Sequence, residues 1–222
     1  MARQGRSWPG RARRVPARQA WIVIPARLVR TVPTTTSTQV ETWWQTACEM
    51  HPDWDHVTLR DPIDRTRFPI TSPYWDTCES GAQLADLVRA EELFWRGGVY
   101  IDSDYECFAP FTPLLAVAGF AAWEDNERIP NAVMGFEPDH PALQEVLQLS
   151  IQRHDQGTWP AGVGVTTEVF KARTDMLVLP PPAFYPIHWR VKRRPDRNNA
   201  ALQSMHPWAF GVHHWAHSWA SA

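Results

Sequence analysis

The sequence predicts an α/β domain, and three observations support this prediction. An apolar run at 21–24, which Pro25 ends, is typical of a short buried strand, and a capped pattern of helical period follows over about 38–50. A second helical pattern, which begins at Ser80, leads directly into another apolar strand. Strands and helices that alternate in this way are characteristic of α/β folds. Because domains commonly hold about 100–200 residues, we expect residues 20–222 to form one domain.

The remaining elements follow from hydrophobic period and from turn residues. A second strand is expected at 57–59, and the Pro- and Asp-rich stretch 62–73 is expected to be irregular. The longest uncharged run, 107–123, contains prolines, so it predicts a buried loop and a strand, and no membrane span. The other expected elements are strands at 119–123, 131–136 and 176–179 and a helix over 141–153.

The helix that begins at Ser80 is defined at both ends. Ser80 and Gln83 form a capping box. The Ser80 hydroxyl accepts a hydrogen bond from a backbone N–H of the first turn, and the Gln83 side chain can accept one from the backbone N–H of the N-cap residue. Gly97 and Gly98 supply the left-handed conformation that ends the helix and turns the chain sharply. The period then changes from helical spacing to two, which predicts a strand immediately after the helix.

Two carboxylates stand where this strand ends. Asp102 and Asp104 are separated by about 6.6 Å of strand rise and share one face, so both can contact one hard cation. The apolar run 99–101 indicates a buried strand, and open α/β sheets bind their ligands at the carboxyl ends of strands. By itself a DxD sequence is more typical of a surface turn, and this alternative stays open.

Two further groups of side chains are candidates for ligand binding. Asp86 and Arg89 lie three residues apart on one helix face, where a carboxylate and a planar guanidinium can bind the hydroxyls of a polyol. The alternative is an exposed ion pair worth a few tenths of a kcal/mol. Near the end of the chain, imidazoles could bind a cation such as Mn²⁺, and a hydroxyl and an indole could donate to phosphate oxygens. These side chains are His213, His214, His217, Ser218 and Trp219; a docked aromatic tail is the alternative.

Composition and charge narrow the classes of protein. Hydrophobic residues at 44% and charged residues at 21% exclude overall disorder, collagen and coiled coil. Residues 1–30 hold eight arginines and no acid, so the net charge of -2 hides an acidic remainder. We expect residues 1–19 to be a disordered basic tail, which either binds an anionic partner or is only solvated. The three cysteines have no CxxC spacing, which favours free thiols in a reducing compartment.

The order of these features resembles a known family. The stretch from Ala85 to Asp104, with its Gly-Gly pair, its Tyr100 and the sixteen-residue step from Asp86 to Asp102, resembles the DXD sugar-binding region of family 32 glycosyltransferases. That family includes yeast Golgi α-1,6-mannosyltransferase-like enzymes and bacterial and phage proteins, and large clostridial glucosylating toxins share the region. The further resembling segments are 24–29 (opening strand), 131–141 (Asn-bearing segment), 161–166 (Gly-Pro turn) and 213–219 (closing motif).

The resemblance implies a GT-A fold, which is Rossmann-like, with a central mixed, mainly parallel sheet flanked by helices. It also implies a metal-dependent, retaining transfer of a hexose from a nucleotide-diphosphate sugar, either a UDP- or a GDP-sugar, with Mn²⁺ or Mg²⁺ as the cation. The acceptor, whether glycan, protein, lipid or modified nucleic acid, is not indicated. We expect a cytoplasmic protein, either bacterial or phage-encoded. Two departures from the family pattern are Val29 in place of a His and Val163 in place of a Pro.

Residue roles follow from the resemblance by position. It implies that Asp102, Asp104 and Arg89 act at the catalytic centre, and that Asp86, Arg89 and Tyr100 hold the donor sugar, with Asn131 on the sugar or acceptor side. The implied ligands of the cation are Asp102, Asp104, His214 and Ser218. Residues 212–219 would form a lid, in which Ser218 and Trp219 close over the diphosphate. The alternatives are a non-catalytic carbohydrate- or nucleotide-binding module, which the thirteen Trp residues favour, and a metal-dependent phosphohydrolase.

Overall fold

The computed structural model describes residues 23–191 and 199–216 as an α/β structure. The expected basic tail, 1–19, lies outside the described residues, as do Ser218 and Trp219. The strands are β1 (Arg27–Val32), β2 (Asp55–Arg60), β3 (Gly98–Ile101), β4 (Tyr105–Cys107), β5 (Gly119–Ala122), β6 (Val133–Phe136), β7 (Leu177–Leu179) and β8 (Gly211–His213). The helices are α1 (Thr38–Met50), α2 (Gly81–Arg96), α3 (Pro141–Gln152), α4 (Thr158–Ala161), α5 (Val163–Lys171) and α6 (Asn199–Met205).

Six strands form the central sheet, in the order β2-β1-β3-β6-β5-β7. The pairs β1–β2, β1–β3 and β5–β7 are parallel, whereas β6 is antiparallel to both of its neighbours. The other five strands therefore run in one direction, and the sheet is mixed and mainly parallel, as expected. A separate two-stranded antiparallel sheet joins β4 to β8.

The sheet is buried on both faces, as a mainly parallel sheet requires. On one face Tyr100 belongs to the core that α2, α3 and α5 complete. On the other face Val99 and Ile101 pack with Phe111 and with Ala47 of α1. The alternation of side chains that the sequence predicts for β3 is thus confirmed. Within the described ranges, no helix is both long enough and apolar enough to cross a membrane.

Local capping explains why the main helices are where the sequence predicts them. The Ser37 hydroxyl accepts from the backbone of Val40 at the start of α1. The Ser80 hydroxyl accepts from the Gln83 N–H at 3.2 Å, and the Gln83 amide oxygen reaches back to the N–H of Glu79 at 2.7 Å, one residue before the usual partner.

Three expectations about the backbone were wrong. Of the first expected strand, 21–24, the structure describes residues 23 and 24, and these do not form a strand: their N–H groups donate to the Leu115 carbonyl, and β1 begins only after Pro25, which has no N–H to offer a strand. The segment 161–166 is not one turn, because Gly162 separates α4 from α5. Residues 102–104 are not an extended segment but a tight turn, which the Tyr105 N–H closes on the Asp102 carbonyl at 3.0 Å.

Candidate active site

The candidate site lies where the connections of the sheet change sides. Helix α1, which follows β1, packs on one face, and α2, which precedes β3, packs on the other. The carboxyl ends of the neighbouring strands β1 and β3 therefore border a crevice, the usual ligand site of open α/β sheets. Asp102 follows β3 directly, and its N–H donates to the Ala132 carbonyl at 2.8 Å, which fixes the turn.

Three potential metal ligands converge at this turn. Strand β8 brings His213 opposite Tyr105, and His213 Nε2 lies 3.1 Å from Asp104 Oδ1 and 3.4 Å from Asp102 Oδ2. The three ligand atoms all lie within 4.8 Å of one another. We call Asp102, Asp104 and His213 the DxD triad. In the described part of the chain both ring nitrogens of His213 are buried without a hydrogen bond of good geometry, and Nε2 is the nitrogen that faces the two carboxylates.

The donor set of the triad suits a divalent cation. Carboxylate oxygens are preferred by Mg²⁺ and Mn²⁺, and imidazole is a common ligand of transition metals. Burial opposes charge on His213, but the carboxylates of Asp104 and Asp102 raise its pKa to about 9. Burial likewise opposes charge on Asp104, but His213 and the N–H of Ala216 hold the pKa of that carboxyl well below its usual range. The two carboxylates thus favour a positive charge at His213, which a bound cation can supply in place of the proton, so the triad residues fit a cation such as Mn²⁺ or Mg²⁺.

His214 was expected to bind the cation, and this expectation was wrong. Its Nε2 bonds to Glu106 Oε2 at 2.8 Å, and its ring stacks on Trp43 with 4.3 Å between centroids. Successive side chains of an extended segment point to opposite sides, so only one of the two adjacent histidines can face the carboxylates. That histidine is His213.

Asp86, Arg89 and Asn131 form a buried polar cluster next to the triad. Arg89 Nη1 lies 3.0 Å from Asp102 Oδ1 and donates to the Asn131 carbonyl at 3.1 Å, and Arg89 Nη2 lies 3.5 Å from Asp86 Oδ1. Asn131 Nδ2 donates to Asp86 Oδ1 at 2.9 Å. The side chains of Arg89 and Asp86 are only 5% and 12% exposed, so the alternative of an exposed ion pair is wrong.

Burial dominates the electrostatics of this cluster. It raises the pKa of Asp86 to about 6, although Arg89 and the hydrogen bond from Asn131 oppose the shift. For Arg89, burial works against the charged form, but Asp102, Tyr100 and Asp86 more than offset it, so the pKa of the guanidinium is raised. The cluster can therefore present a fixed guanidinium beside a carboxyl that is ionised at neutral pH.

Tyr100 is next to the cluster of Asp86, Arg89 and Asn131, as expected, but its ring is buried below the Arg89 guanidinium. The Arg89 guanidinium lies 4.5 Å from the centre of its ring. Its hydroxyl donates to Asp102 Oδ1 at 3.0 Å and contacts Thr31 Oγ1 at 2.7 Å. Because the side chain is fully buried, Tyr100 positions Asp102 and Arg89 rather than contacting a ligand itself.

Comparisons with known proteins agree with the family resemblance found in the sequence. Residues 37–121 match the family described as a glycosyltransferase sugar-binding region containing the DXD motif. Inositol phosphoceramide mannosyltransferase 2 of Schizosaccharomyces pombe is 29% identical over 189 residues, which are 76% of this chain and 52% of that relative. The chain therefore spans about half the length of this curated relative. The resemblance found in the sequence is confirmed.

Two solved glycosyltransferases have a similar structure. The PaToxG glycosyltransferase is 15% identical, with a TM-score of 0.52 over 66% of this chain and 68% of its own. The galactosyltransferase LgtC, solved with donor and acceptor sugar analogues, is 10% identical, with a TM-score of 0.50 over 84% of this chain and 86% of its own. The chain has the GT-A fold. The family match and the Schizosaccharomyces pombe relative support the prediction that the protein is a transferase enzyme.

Within the GT-A fold, two positions of the site were not assigned from the sequence. A Cβ atom on Gly162 would lie 2.1 Å from Asp86 Oδ2, so only glycine allows the backbone between α4 and α5 to approach this carboxylate. Thr31, near the end of β1, holds the hydroxyl of Tyr100. Neither has a sequence signal of its own, although Gly162 falls in the segment that resembles the family's Gly-Pro turn.

The chain after β8 stays close to the triad. The His214 N–H donates to the Asp104 carbonyl at 2.9 Å, and the Ala216 N–H donates to Asp104 Oδ2 at 2.7 Å. Trp215 has a positive φ of 52°, and its indole donates to the Ile187 carbonyl at 2.7 Å. Residues 212–213 of the expected lid are therefore part of a paired strand. The roles of Ser218 and Trp219 stay predictions, because both residues lie outside the described ranges.

Proposed function

We propose that this chain is a metal-dependent, retaining glycosyltransferase that moves a hexose from a UDP- or GDP-sugar to an acceptor hydroxyl. The observation that carries the proposal is the contact between the DxD triad and the buried polar cluster of Asp86, Arg89 and Asn131. Arg89 joins them, since it lies 3.0 Å from Asp102 and 3.5 Å from Asp86. A site for a phosphate-bound cation and a site for sugar hydroxyls are thus immediate neighbours.

Each part of this site has a task in such a transfer. Asp102, Asp104 and His213 would hold Mn²⁺ or Mg²⁺, which stabilises the charge that develops on the departing diphosphate. Asp86 accepts hydrogen bonds from hydroxyls of the donor sugar, while Arg89 donates to them in a fixed plane. Asn131 orients both of these side chains. Ser218 and Trp219 are proposed to donate to the diphosphate from the end of the chain.

We propose that the nucleoside binds beside the carboxyl ends of β1 and β2. A cavity of about 320 Å³ opens there, lined by Thr34, Asp61, Pro62, Ile63, Arg65, Trp75 and Leu84. Thr34 follows three residues after Thr31, which contacts Tyr100 of the site. Aromatic and apolar walls with a few polar groups are typical of nucleoside pockets.

A screen of nucleotide sugars by thermal shift, with and without Mn²⁺, tests this proposal. Bound donor raises the melting temperature by mass action, and a nucleotide-mannose is the first donor to test, because the Schizosaccharomyces pombe relative is named a mannosyltransferase. The donor that stabilises the protein is then incubated with Mn²⁺, and slow release of free sugar and nucleoside diphosphate is expected. A binding module would release neither, and a phosphohydrolase that cleaves the diphosphate would release nucleoside monophosphate and sugar 1-phosphate. The configuration of the transferred sugar, read by NMR of the product, tests retention.

A further inference from the structure

A second polar cluster lies at the same edge of the sheet as the DxD triad. Glu124 and Asp125 follow the carboxyl end of β5, which runs in the same direction as β3. The segment after β7 brings His188 to them, with Nε2 3.2 Å from Asp125 Oδ2 and 3.7 Å from Glu124 Oε1. We call Glu124, Asp125 and His188 the Glu124 cluster. No sequence pattern or comparison assigned it a role.

The triad and this cluster each contain a buried polar atom without a hydrogen-bond partner in the described ranges. Glu124 Oε1 and the Tyr185 hydroxyl are both buried, and within the described ranges Glu124 Oε1 has no hydrogen-bond partner. The residues are 4% and 3% exposed. The Tyr185 ring packs edge-on against His213 of the triad, with 6.1 Å between centroids. Such an atom is costly to bury unpaired, so a polar ligand that bonded to Glu124 Oε1 would remove this cost.

Electrostatics also connect the two groups. Burial raises the pKa of Glu124, and Arg128, His188 and His213 oppose that shift. Burial raises the pKa of Tyr185 well above its ordinary value, and the charges of Asp102 and Glu124 add to the shift. Tyr185 therefore lies within the fields of both carboxylates, one from each group.

Two exposed aromatic rings border the Glu124 cluster. The Arg128 guanidinium lies 5.6 Å from the centre of the Trp159 ring and 5.2 Å from that of Trp189. The rings are 53% and 38% exposed, although Trp is usually well buried. A sugar ring has an apolar face of C–H groups and an edge of hydroxyls. An exposed aromatic ring can pack against that face while a buried carboxylate accepts hydrogen bonds from the hydroxyls.

The charge balance argues against a second cation here. Arg128 Nη2 and Nε both pair with Asp125 Oδ2, and Nη2 lies 3.9 Å from Glu124 Oε1. A guanidinium already neutralises one carboxylate and would repel a divalent ion. Neutral hydroxyls, in contrast, can donate to Glu124 without meeting this repulsion.

We propose that the Glu124 cluster, with Trp159 and Trp189 at its border, is the acceptor site and binds a sugar or another polyol ring. This inference rests on the proposed function. Glu124 accepts a hydrogen bond from an acceptor hydroxyl at the buried end, next to Tyr185 and the triad. Trp189 packs against the apolar face of the ring.

Ligand-observed NMR tests the proposal without a donor. Methyl α-D-mannopyranoside, methyl β-D-glucopyranoside and myo-inositol are each mixed with the protein, and saturation transfer to the probe is measured. We expect a signal from at least one probe with the wild type, and at least a threefold weaker signal with Trp189→Ala and with Glu124→Gln. Trp189→Phe, which keeps a ring, should recover most of it. Matched controls are Trp208→Ala, on the exposed loop before β8, and Glu168→Gln, in an exposed ion pair with Arg153.

The possible results separate this inference from the proposed function. The Mn²⁺-dependent thermal shift with a nucleotide sugar should persist in Trp189→Ala, which shows that the donor site and the fold are intact. If no probe gives a signal with the wild type, or if Trp208→Ala weakens it as much as Trp189→Ala does, the acceptor assignment is overturned, whatever the donor screen shows. Mn²⁺ is also titrated into Asp104→Asn and into the double variant that adds Glu124→Gln. If Asp104→Asn still binds Mn²⁺ and the double variant does not, the Glu124 cluster binds a cation, and the acceptor assignment is overturned.

Discussion

Two of the buried charged clusters on helix α2, one around Glu91 and one around Asp86 and Arg89, differ in how completely their polar atoms are paired. Toward its carboxyl end, Glu91 accepts from the N–H groups of Ile70 and Thr71, from the Thr71 hydroxyl and from the indole of Trp95. Glu91 is fully buried with this complete set of donors. The cluster needs nothing from outside the chain, so its role is to hold the segment before α2 in place.

The other cluster of α2 is open. Asp86 and Arg89 contact each other, but the network that they join ends at His213, whose two buried nitrogens make no hydrogen bond of good geometry in the described residues. A closed buried network stabilises a fold, whereas one with unpaired atoms is completed by a ligand. Substitutions in the first cluster should therefore change stability, and substitutions in the second should change ligand binding.

The largest expected effect is on stability, from Glu91→Ala. The change leaves the N–H groups of Ile70 and Thr71 without their acceptor in the interior, and each unpaired donor costs about 1–3 kcal/mol. Chemical denaturation should show a loss of roughly 2–6 kcal/mol in the free energy of unfolding. The control Glu168→Ala removes an exposed ion pair and should cost no more than about 1 kcal/mol. An equal loss in the two variants would contradict the view that the Glu91 network is structural.

The next largest effect is expected on the rate, from Asp104→Asn. The amide oxygen can still accept from the Ala216 N–H, but the charge that would hold the cation is lost. We expect donor hydrolysis to fall at least about 100-fold, similar to the loss of other preorganised electrostatic groups, while unfolding stays cooperative. Activity above a tenth of wild type at saturating Mn²⁺ would remove Asp104 from the metal site.

Arg89→Lys should have a smaller effect, of about 10- to 100-fold on kcat/KM for the donor. Lysine keeps the charge but cannot contact Asp86, Asp102 and Asn131 from one rigid plane. Arg153→Lys, in an exposed ion pair with Glu168, is the matched control and should change nothing measurable. If both variants keep wild-type kinetics, Arg89 has only a structural role.

The comparison of the two clusters also shows what the sequence could predict. The bounds of α1 and α2 depend on caps within a few residues, and β3 depends on local alternation, so these were predicted correctly. The choice of His213 over His214 depends on the pairing of β8 with β4, about a hundred residues earlier in the chain. The Glu124 cluster likewise joins residues from two distant segments. Helix α5 was missed because its Val and Thr residues are weak helix formers, and packing of Val165, Val169 and Phe170 decides its conformation.

The smallest expected effect is a pH dependence of sugar binding that comes from Asp86. Burial raises its pKa to about 6, so the carboxylate that accepts hydrogen bonds from the donor sugar is mostly ionised at pH 7 and mostly protonated at pH 5. Lowering the pH should therefore weaken donor binding, by about tenfold between pH 7 and pH 5, because only about a tenth of a carboxyl is ionised one unit below its pKa. Protonation of the triad would also weaken the binding of the nucleotide sugar, but it would weaken the binding of the nucleoside diphosphate, which lacks the sugar, by the same factor. The quantity to measure by calorimetry is thus the ratio of the two Kd values, for nucleotide sugar and for nucleoside diphosphate, with Mn²⁺ present. In Asp86→Asn, which has no titrating carboxyl, this ratio should not depend on pH; a wild-type ratio that is equally constant would show that Asp86 does not bind the sugar.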